Sequence, residues 1–340
     1  MGRLLKSILA VLLGAAVFAA VITKAGSQNL GRAFSLLFNL HGLALLCLTL
    51  LAVYFGVLRL KIIFKAFGDN LSMRELFSLW LLGFGVGYLA PFSILSGDAV
   101  KAFFTKKHFD YLSWNRTIAT SIIDRIADAT VFFIFLLAGL AVFAFKGELS
   151  FGLSAGVVAA AAVMLGLLLL FYFKRWRRES AVSWLFKVSG ANKIKFFNGQ
   201  SADTLLQVEK EVFQFFSCSK KHFWQAMTLS VARHAALFSR AGLLLFFLTG
   251  KAGFFKALAV FGFANLGSMS PVPASLGTLD LSVGLAFGGL GLGFNNGAAF
   301  VMVWRAVDLV VAFIGVGFFV KFGFNAIEKQ ILGFFRVKPR

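Results

Sequence analysis

Residues 87–128 read GYLAPFSILSGDAVKAFFTKKHFDYLSWNRTIATSIIDRIAD, and residues 267–308 read GSMSPVPASLGTLDLSVGLAFGGLGLGFNNGAAFVMVWRAVD. Shifted by 180 residues, the first stretch lies on the second without a gap. The matches include residue types that apolar helices usually exclude: Pro91 with Pro271, Gly97 with Gly277, Arg125 with Arg305 and Asp128 with Asp308. Gly87 with Gly267, Asn115 with Asn295 and Ala119 with Ala299 agree as well. The chain has only four prolines, and three of them (Pro91, Pro271 and Pro273) fall at these matched tips. Proline lacks an N–H and breaks helices. The pattern therefore reads as an internal duplication that places two Pro–Gly breaks and two Arg-x-x-Asp pairs symmetrically in a membrane.

The surroundings make the membrane reading firm. Of 340 residues, 59% are hydrophobic and only 14% charged, outside the range of soluble domains. The net charge of +20 has a simple cause in positive-inside topology and attraction to anionic lipid; no soluble segment is left over for nucleic acid. Two cysteines, Cys47 and Cys218, and four scattered histidines show no metal-ligand spacing, so neither metal nor cofactor is expected.

In chain order, Ile8–Ile22 follows Arg3 and Lys6 and reads as an uncleaved first span. Leu36–Val57 returns to a cytoplasmic loop marked by Arg59, Lys61, Lys65 and Arg74. Leu76–Ala90 is only 15 residues long, about 22 Å of helix against a hydrocarbon core of about 30 Å. Pro91 and Gly97 interrupt it, and a second arm, Asp98–Phe104, runs into Lys106 and Lys107, so the segment reads as a re-entrant hairpin. Asn115–Phe145 and Phe151–Phe173 are spans. The basic segment 174–221 carries Leu205, Val208, Val212, Phe213 and Phe216 at helical spacing; an amphipathic helix on the inner surface and a cytoplasmic linker fit equally. Phe223–Thr249 crosses outward, Phe254–Met269 and Leu279–Gly293 form a second hairpin, and Gly297–Val320 returns inward.

Lys and Arg count 25 in the cytoplasmic segments against five in the outer ones, with Arg125, Arg233, Arg240 and Arg305 inside the membrane. That bias places both termini in the cytoplasm. The expected fold is an all-α integral membrane protein, one polytopic domain over 1–340. It comprises about six full transmembrane helices, two re-entrant helical hairpins and an inverted repeat of 74–145 on 254–320.

A charge at membrane depth faces a partner or a wet cavity. Arg125 and Asp128 are i,i+3 and can pair, as can Arg305 and Asp308. Each pair either braces its hairpin or lines a polar cavity, where it touches an anionic head group or moves a proton. The tips Ser96-Gly97-Asp98 and Ser275-Leu276-Gly277-Thr278 read as starts of short helices, where free N–H groups would suit a lipid phosphate. Asp98 and Asp280 could occupy those donors themselves. Arg233 and Arg240 share one helix face and extend the path or pair with Asp124 or Asp280. His234 reads as a packing histidine. The glycine runs at 83–87 and 288–293 suit close helix packing rather than nucleotide binding, and no Gly-Lys-Ser/Thr phosphate loop is present.

The order Pro91, Ser96-Gly97-Asp98, Lys101, Asp124-Arg125, then Pro271-Val272-Pro273-Ala274-Ser275-Leu276-Gly277, Asp280 and Arg305 resembles the lysylphosphatidylglycerol synthase transmembrane-region family. That family has Pro, Gly-Gly-Asp with a basic residue and Asp-Arg, then Pro-x-Pro-Gly-Gly-x-Gly, an acidic residue and Arg. Ser96 and Ala274-Ser275 stand where the family has glycines, and Asp280 stands where it has glutamate. No aminoacyl-transfer segment follows in this sequence, so the resemblance implies lipid translocation in a bacterial inner membrane rather than lysyl transfer. The expected cargo is an anionic phospholipid or a polyprenyl-phosphate-linked lipid. Two other classes compete: an intramembrane lipid-modifying enzyme with Asp98 or Asp128 as base, and a non-catalytic partner of a lipid or cell-envelope synthase. A nucleophile–base pair or metal cluster would favour the enzyme, and the sequence offers neither.

Overall fold

The computed structural model describes residues 35–146 except 36 and 91–92, isolated helical positions between 159 and 177, and residues 200–336 except 251–252 and 271. All regular structure among the described residues is helical. We label the main helices α1 Leu40–Ala66, α2 Met73–Leu89, α3 Ser93–His108, α4 Trp114–Lys146, α5 Gln200–Cys218, α6 Lys220–Thr249, α7 Phe254–Ser268, α8 Thr278–Gly289 and α9 Phe294–Arg336. A short 3₁₀ turn, Pro273–Ser275, lies between α7 and α8.

Four of these are long and apolar enough to cross a membrane: Leu40–Ala66, Trp114–Ala144, Lys220–Thr249 and Phe294–Gly323. The chain is a multi-pass membrane protein. The expected spans 8–22 and 151–173 lie outside the described residues or are described only at scattered positions.

Contact registers give the helix directions. α1 and α6 run antiparallel, with Arg59 opposite Ser230 and Arg240 opposite Thr49. α4 runs parallel to α6, since Asp128 meets Arg233 and Phe135 meets Phe238. α3 is antiparallel to α4, through Asp98 with Arg125 and Phe103 with Trp114. α2 and α3 form a hairpin whose open end is tied by Glu75 and His108 and whose closed end packs Gly83 and Gly87 on Gly97. α9 runs against α2: Gly85 lies on Ala312 and Leu81 on Gly315. α4 and α9 therefore run in opposite directions.

Lipid tails are as apolar as leucine, so burial alone does not drive helices together in a bilayer; close backbone approach does. Glycine supplies it at reciprocal places. The first arm of the first hairpin packs on the long helix of the second half, and the first arm of the second hairpin packs on the long helix of the first. A Cβ at Gly85 would stand 2.5 Å from the Ala312 carbonyl oxygen, and one at Gly139 would stand 2.4 Å from that of Leu258. Gly262 faces Gly139 in the same contact. The glycine run 83–87 thus packs helices as its composition suggests. The run 288–293 does so only in part: Gly289 sits under Phe143, while Gly291 and Gly293 take positive φ in the turn before α9.

The face of α5 formed by Val208, Val212, Phe215 and Phe216 is buried against Ile63, Ala119, Ile123 and Ala226. It is covered by protein, which argues against that face lying in lipid. Asn115 donates to Gln207 and Arg116 reaches Glu211, fixing α5 to the start of α4.

Candidate functional site

Arg59, on α1, falls in the helix stripe Thr49, Ala52, Val53, Gly56, Leu60, Ile63 and is 2% exposed. Its Nε donates to Asp124 at 2.7 Å, and its Nη1 donates to Asp128 at 2.6 Å and Ser230 at 2.9 Å. The basic run Arg59, Lys61 and Lys65 predicts a cytoplasmic loop for all three. α1 instead continues to Ala66 and carries Arg59 inward. The available signal was helical phase, since Arg59 continues the apolar stripe.

Asp124 also accepts from Lys101 at 2.8 Å, and Lys101 lies 3.2 Å from Asp98. Arg125 turns to Asp98, its Nε at 2.7 Å. Asp128 turns to Arg233, which donates at 2.6 and 2.8 Å. The expected i,i+3 pairing of Arg125 with Asp128 is therefore replaced by pairs across helices. The reason is placement: Asp98 on α3 and Arg233 on α6 flank α4, and a guanidinium reaches an adjacent helix without bending back along its own.

The second half makes the same exchange. Arg305 chelates Asp280 with two bonds, 3.0 and 2.6 Å, and donates to the Ser275 and Ala274 carbonyls at 2.8 and 3.3 Å. Asp308 accepts from Arg240 at 2.7 Å, and Arg240 also reaches Thr49 and the Trp304 carbonyl. The Arg240 guanidinium carbon lies 3.7 Å from the centre of the Trp304 ring, a close cation–π contact. His234 is buried, bonded from Nδ1 to the Ser230 carbonyl and stacked on Phe135.

The tips differ. Ser96, Gly97 and Asp98 lie inside α3, which starts at Ser93, so they are not a helix start as the sequence suggested; Gly97 is there for its contact with the backbone of Gly83. At the second tip Gly277 does precede α8, at φ 77°, and its N–H donates to Asp280 at 3.0 Å. Asp280 therefore occupies a donor that a phosphate would have used. Ala274 and Ser275 adopt φ of 51° and 49°, the left-handed region that favours glycine.

Two cavities open between these groups. One, of about 210 Å³, is lined by Arg59, Lys101, Asp98, Asp124, Arg125 and Asp128 among others. The other, of about 450 Å³, reaches from Arg125 and Asp128 to Arg240 and Asp308, with Phe132, Phe133 and Leu237 in its wall. They share Trp80, Phe84, Tyr88, Arg125, Asp128 and Arg233 and so lie side by side, with ion pairs in a mainly apolar wall on the larger side. The sequence does not mark Trp80, Phe84, Tyr88 and Trp304, because an aromatic in an apolar helix carries no sign of facing a cavity; Asn265, a lone amide in the apolar α7, is the one such residue with a visible signal.

Comparison with known families decides the affiliation: a family model described as the lysylphosphatidylglycerol synthase TM region matches residues 7–315. The chain belongs to that family. Among curated proteins none matches it. Membership in the lysylphosphatidylglycerol synthase transmembrane-region family places the protein in the area of membrane lipid and cell-envelope chemistry. It also gives meaning to the tip, since Ala274 and Ser275 hold the left-handed positions where the resemblance expects two glycines.

Proposed function

We propose that the protein is a lipid translocase of a bacterial inner membrane that moves the head group of an anionic phospholipid or polyprenyl-phosphate-linked lipid between leaflets. The observation that carries this reading is the pair of adjoining cavities, walled by spanning helices and lined by buried ion pairs. Asp128 and Asp308 each lie 14 residues past the start of their helix, about 21 Å along it, and the two helices run in opposite directions. Such a space lets a polar head cross while its tails stay in the bilayer. Residues 74–145 and 254–320 act as inverted repeats whose hairpins enter from opposite sides, with both termini cytoplasmic. Arg125 is the group best placed to meet a head group, because its side chain is 43% exposed while facing both cavities.

The test is dithionite quenching of a fluorescent anionic phospholipid in vesicles containing the purified protein. Two charge-paired variants follow the contacts: Arg125→Gln with Asp98→Asn, and Arg240→Gln with Asp308→Asn. Each removes a cation and its own carboxylate, so no buried charge is orphaned. The expected result is normal insertion with translocation slowed at least about tenfold. Wild-type rates in both variants, or no translocation by the wild type, refute the reading.

A further inference from the structure

Three helices, α1, α4 and α6, pass through the same succession of layers. Where α4 and α6 start and α1 ends lie Ile63, Ala119, Ile123 and Ala226, each 0% exposed. Next comes the ionic layer, in which Arg59 bonds Asp124, Asp128 and Ser230. Beyond it is the larger cavity, whose wall takes Ala52 and Val53 from α1, Phe132 and Phe133 from α4 and Leu237 from α6. Ile63 lies one helical turn, about 6 Å, past Arg59, and Ala226 lies one turn before Ser230. The larger cavity is therefore closed on this side by two stacked barriers, one ionic and one apolar.

The roof of the apolar barrier is α5. Its Val208, Val212, Phe215 and Phe216 complete that layer, Phe215 against Phe67 after α1 and Phe216 against Phe223 near the start of α6. The fastenings are polar and lie at the rim: Asn115 with Gln207, and Arg116, its side chain 31% exposed, with Glu211 and Asp69. Ion pairs this open to water hold weakly. At its other end α5 joins α6 through the single residue Ser219, whose φ of −114° and ψ of 46° are not helical and whose side chain does not cap α6. An amphipathic helix hides its apolar face from water at a bilayer surface as well as on protein. Apolar burial alone thus does not choose the docked position; the rim contacts do.

We propose that α5 is a hinged lid. It turns about Ser219 with Arg116 as its clasp, and together with the Arg59 layer behind it forms a two-leaf gate on this side of the larger cavity. Lifting α5 exposes the apolar layer to the aqueous compartment, and parting of Arg59 from Asp124 and Asp128 then opens the cavity in that direction. The lid itself needs no lipid cargo; only its bearing on transport rests on the translocase reading.

The experiment uses the full chain with Cys47 and Cys218 replaced by Ser. Asn115→Cys with Gln207→Cys is joined by bismaleimidoethane to lock the lid, and the same chain capped with two equivalents of N-ethylmaleimide is the unlocked control. A reporter under the lid, Ala226→Cys, is labelled in detergent with a sulfonated maleimide and followed by intact mass. Ile63→Cys serves as a second reporter, and Gln225→Cys, at an exposed position, gives the rate without a lid. Locking should slow both buried reporters at least tenfold and leave Gln225→Cys unchanged. In the chain without the lock cysteines, Arg116→Gln should speed both buried reporters at least threefold. Equal rates in locked and capped chains, or no acceleration by Arg116→Gln, overturn the lid. In vesicles, the locked chain without a reporter should translocate fluorescent phospholipid at least tenfold more slowly than the capped one. Equal translocation with lid-dependent labelling overturns the gate. Lid-dependent labelling in a protein that moves no lipid leaves the lid standing and refutes the translocase reading instead.

Discussion

Arg125 and Arg305 hold matched positions in the sequence, yet the structure gives them different work, and their replacement should cost very different amounts. Arg305 is 6% exposed; it holds Asp280, itself 1% exposed, and two carbonyls of the second tip. Arg305→Gln leaves Asp280 with only the Gly277 N–H among these contacts, and breaking a buried pair this way costs about 3–5 kcal/mol. Arg125 makes one 2.7 Å contact to Asp98 from a side chain 43% exposed, and Asp98 keeps Lys101. Exposed pairs contribute about 0–1 kcal/mol, so Arg125→Gln should cost no more than that. The gap of at least about 2 kcal/mol is a factor of roughly thirty in the unfolding equilibrium. Denaturing-detergent titration of the two purified variants, followed by tryptophan fluorescence, measures it. A double variant, Arg305→Gln with Asp280→Asn, should recover most of the loss. Equal destabilisation by the two single changes, or no recovery in the double variant, would refute the assignment of Arg305 as a brace.

Ala274→Gly and Ser275→Gly should each stabilise the protein by about 1 kcal/mol in the same titration, because both residues sit at φ near +50°, where a Cβ is penalised; destabilisation by either change would mean that the side chain matters more than the backbone strain. For topology, Asn70→Cys and Asn295→Cys, in a chain whose Cys47 and Cys218 are replaced by Ser, should be labelled by an impermeant maleimide from the cytoplasmic and the outer side respectively. Labelling of both from one side would rule out the proposed arrangement.

The long helices were legible because their apolar runs exceed the length a bilayer needs, and the breaks were legible because proline is so rare in this chain. Charge statistics served less well. Arg59 looked like part of a basic loop because Lys61 and Lys65 follow it; only the phase of its helix, continuing through Gly56 and Ile63, separates it from them. The intramembrane residues Arg125, Asp128, Arg305 and Asp308 stand out as ions in apolar helices, as do Asp98, Arg233, Arg240 and Asp280, but which of them pair does not. Spacing of i,i+3 shows that two side chains share a face. It does not show whether a third helix offers a better carboxylate, and here Asp98, Arg233, Arg240 and Asp280 all come from other helices. The start of α3 was misplaced for a related reason: Gly97 reads as a break in one dimension and is a contact point in three, 2.5 Å separating its would-be Cβ from the Gly83 carbonyl.

The two tips show how matched residues come to act differently. In the second half the acid lies at the third position of α8, caps that helix through Gly277 and is chelated by Arg305, so acid, dipole and arginine neutralise one another locally. In the first half the acid, Asp98, lies within α3, is shared between Lys101 and Arg125, and leaves Arg125 facing both cavities. Arg59, entering from α1, then satisfies Asp124 and Asp128 together. The second tip is thus closed to an anion by its own carboxylate, and the first half is open to one. If the head group crosses this space, it must bind on the Arg125–Arg233 side and reach toward Arg240, with the second hairpin acting as a fixed wall. Transport would then depend on movement of the first hairpin, whose arms meet through glycine at Gly83, Gly87 and Gly97 and which is tied to α4 by the buried Lys101–Asp124 and the exposed Arg125–Asp98 contacts.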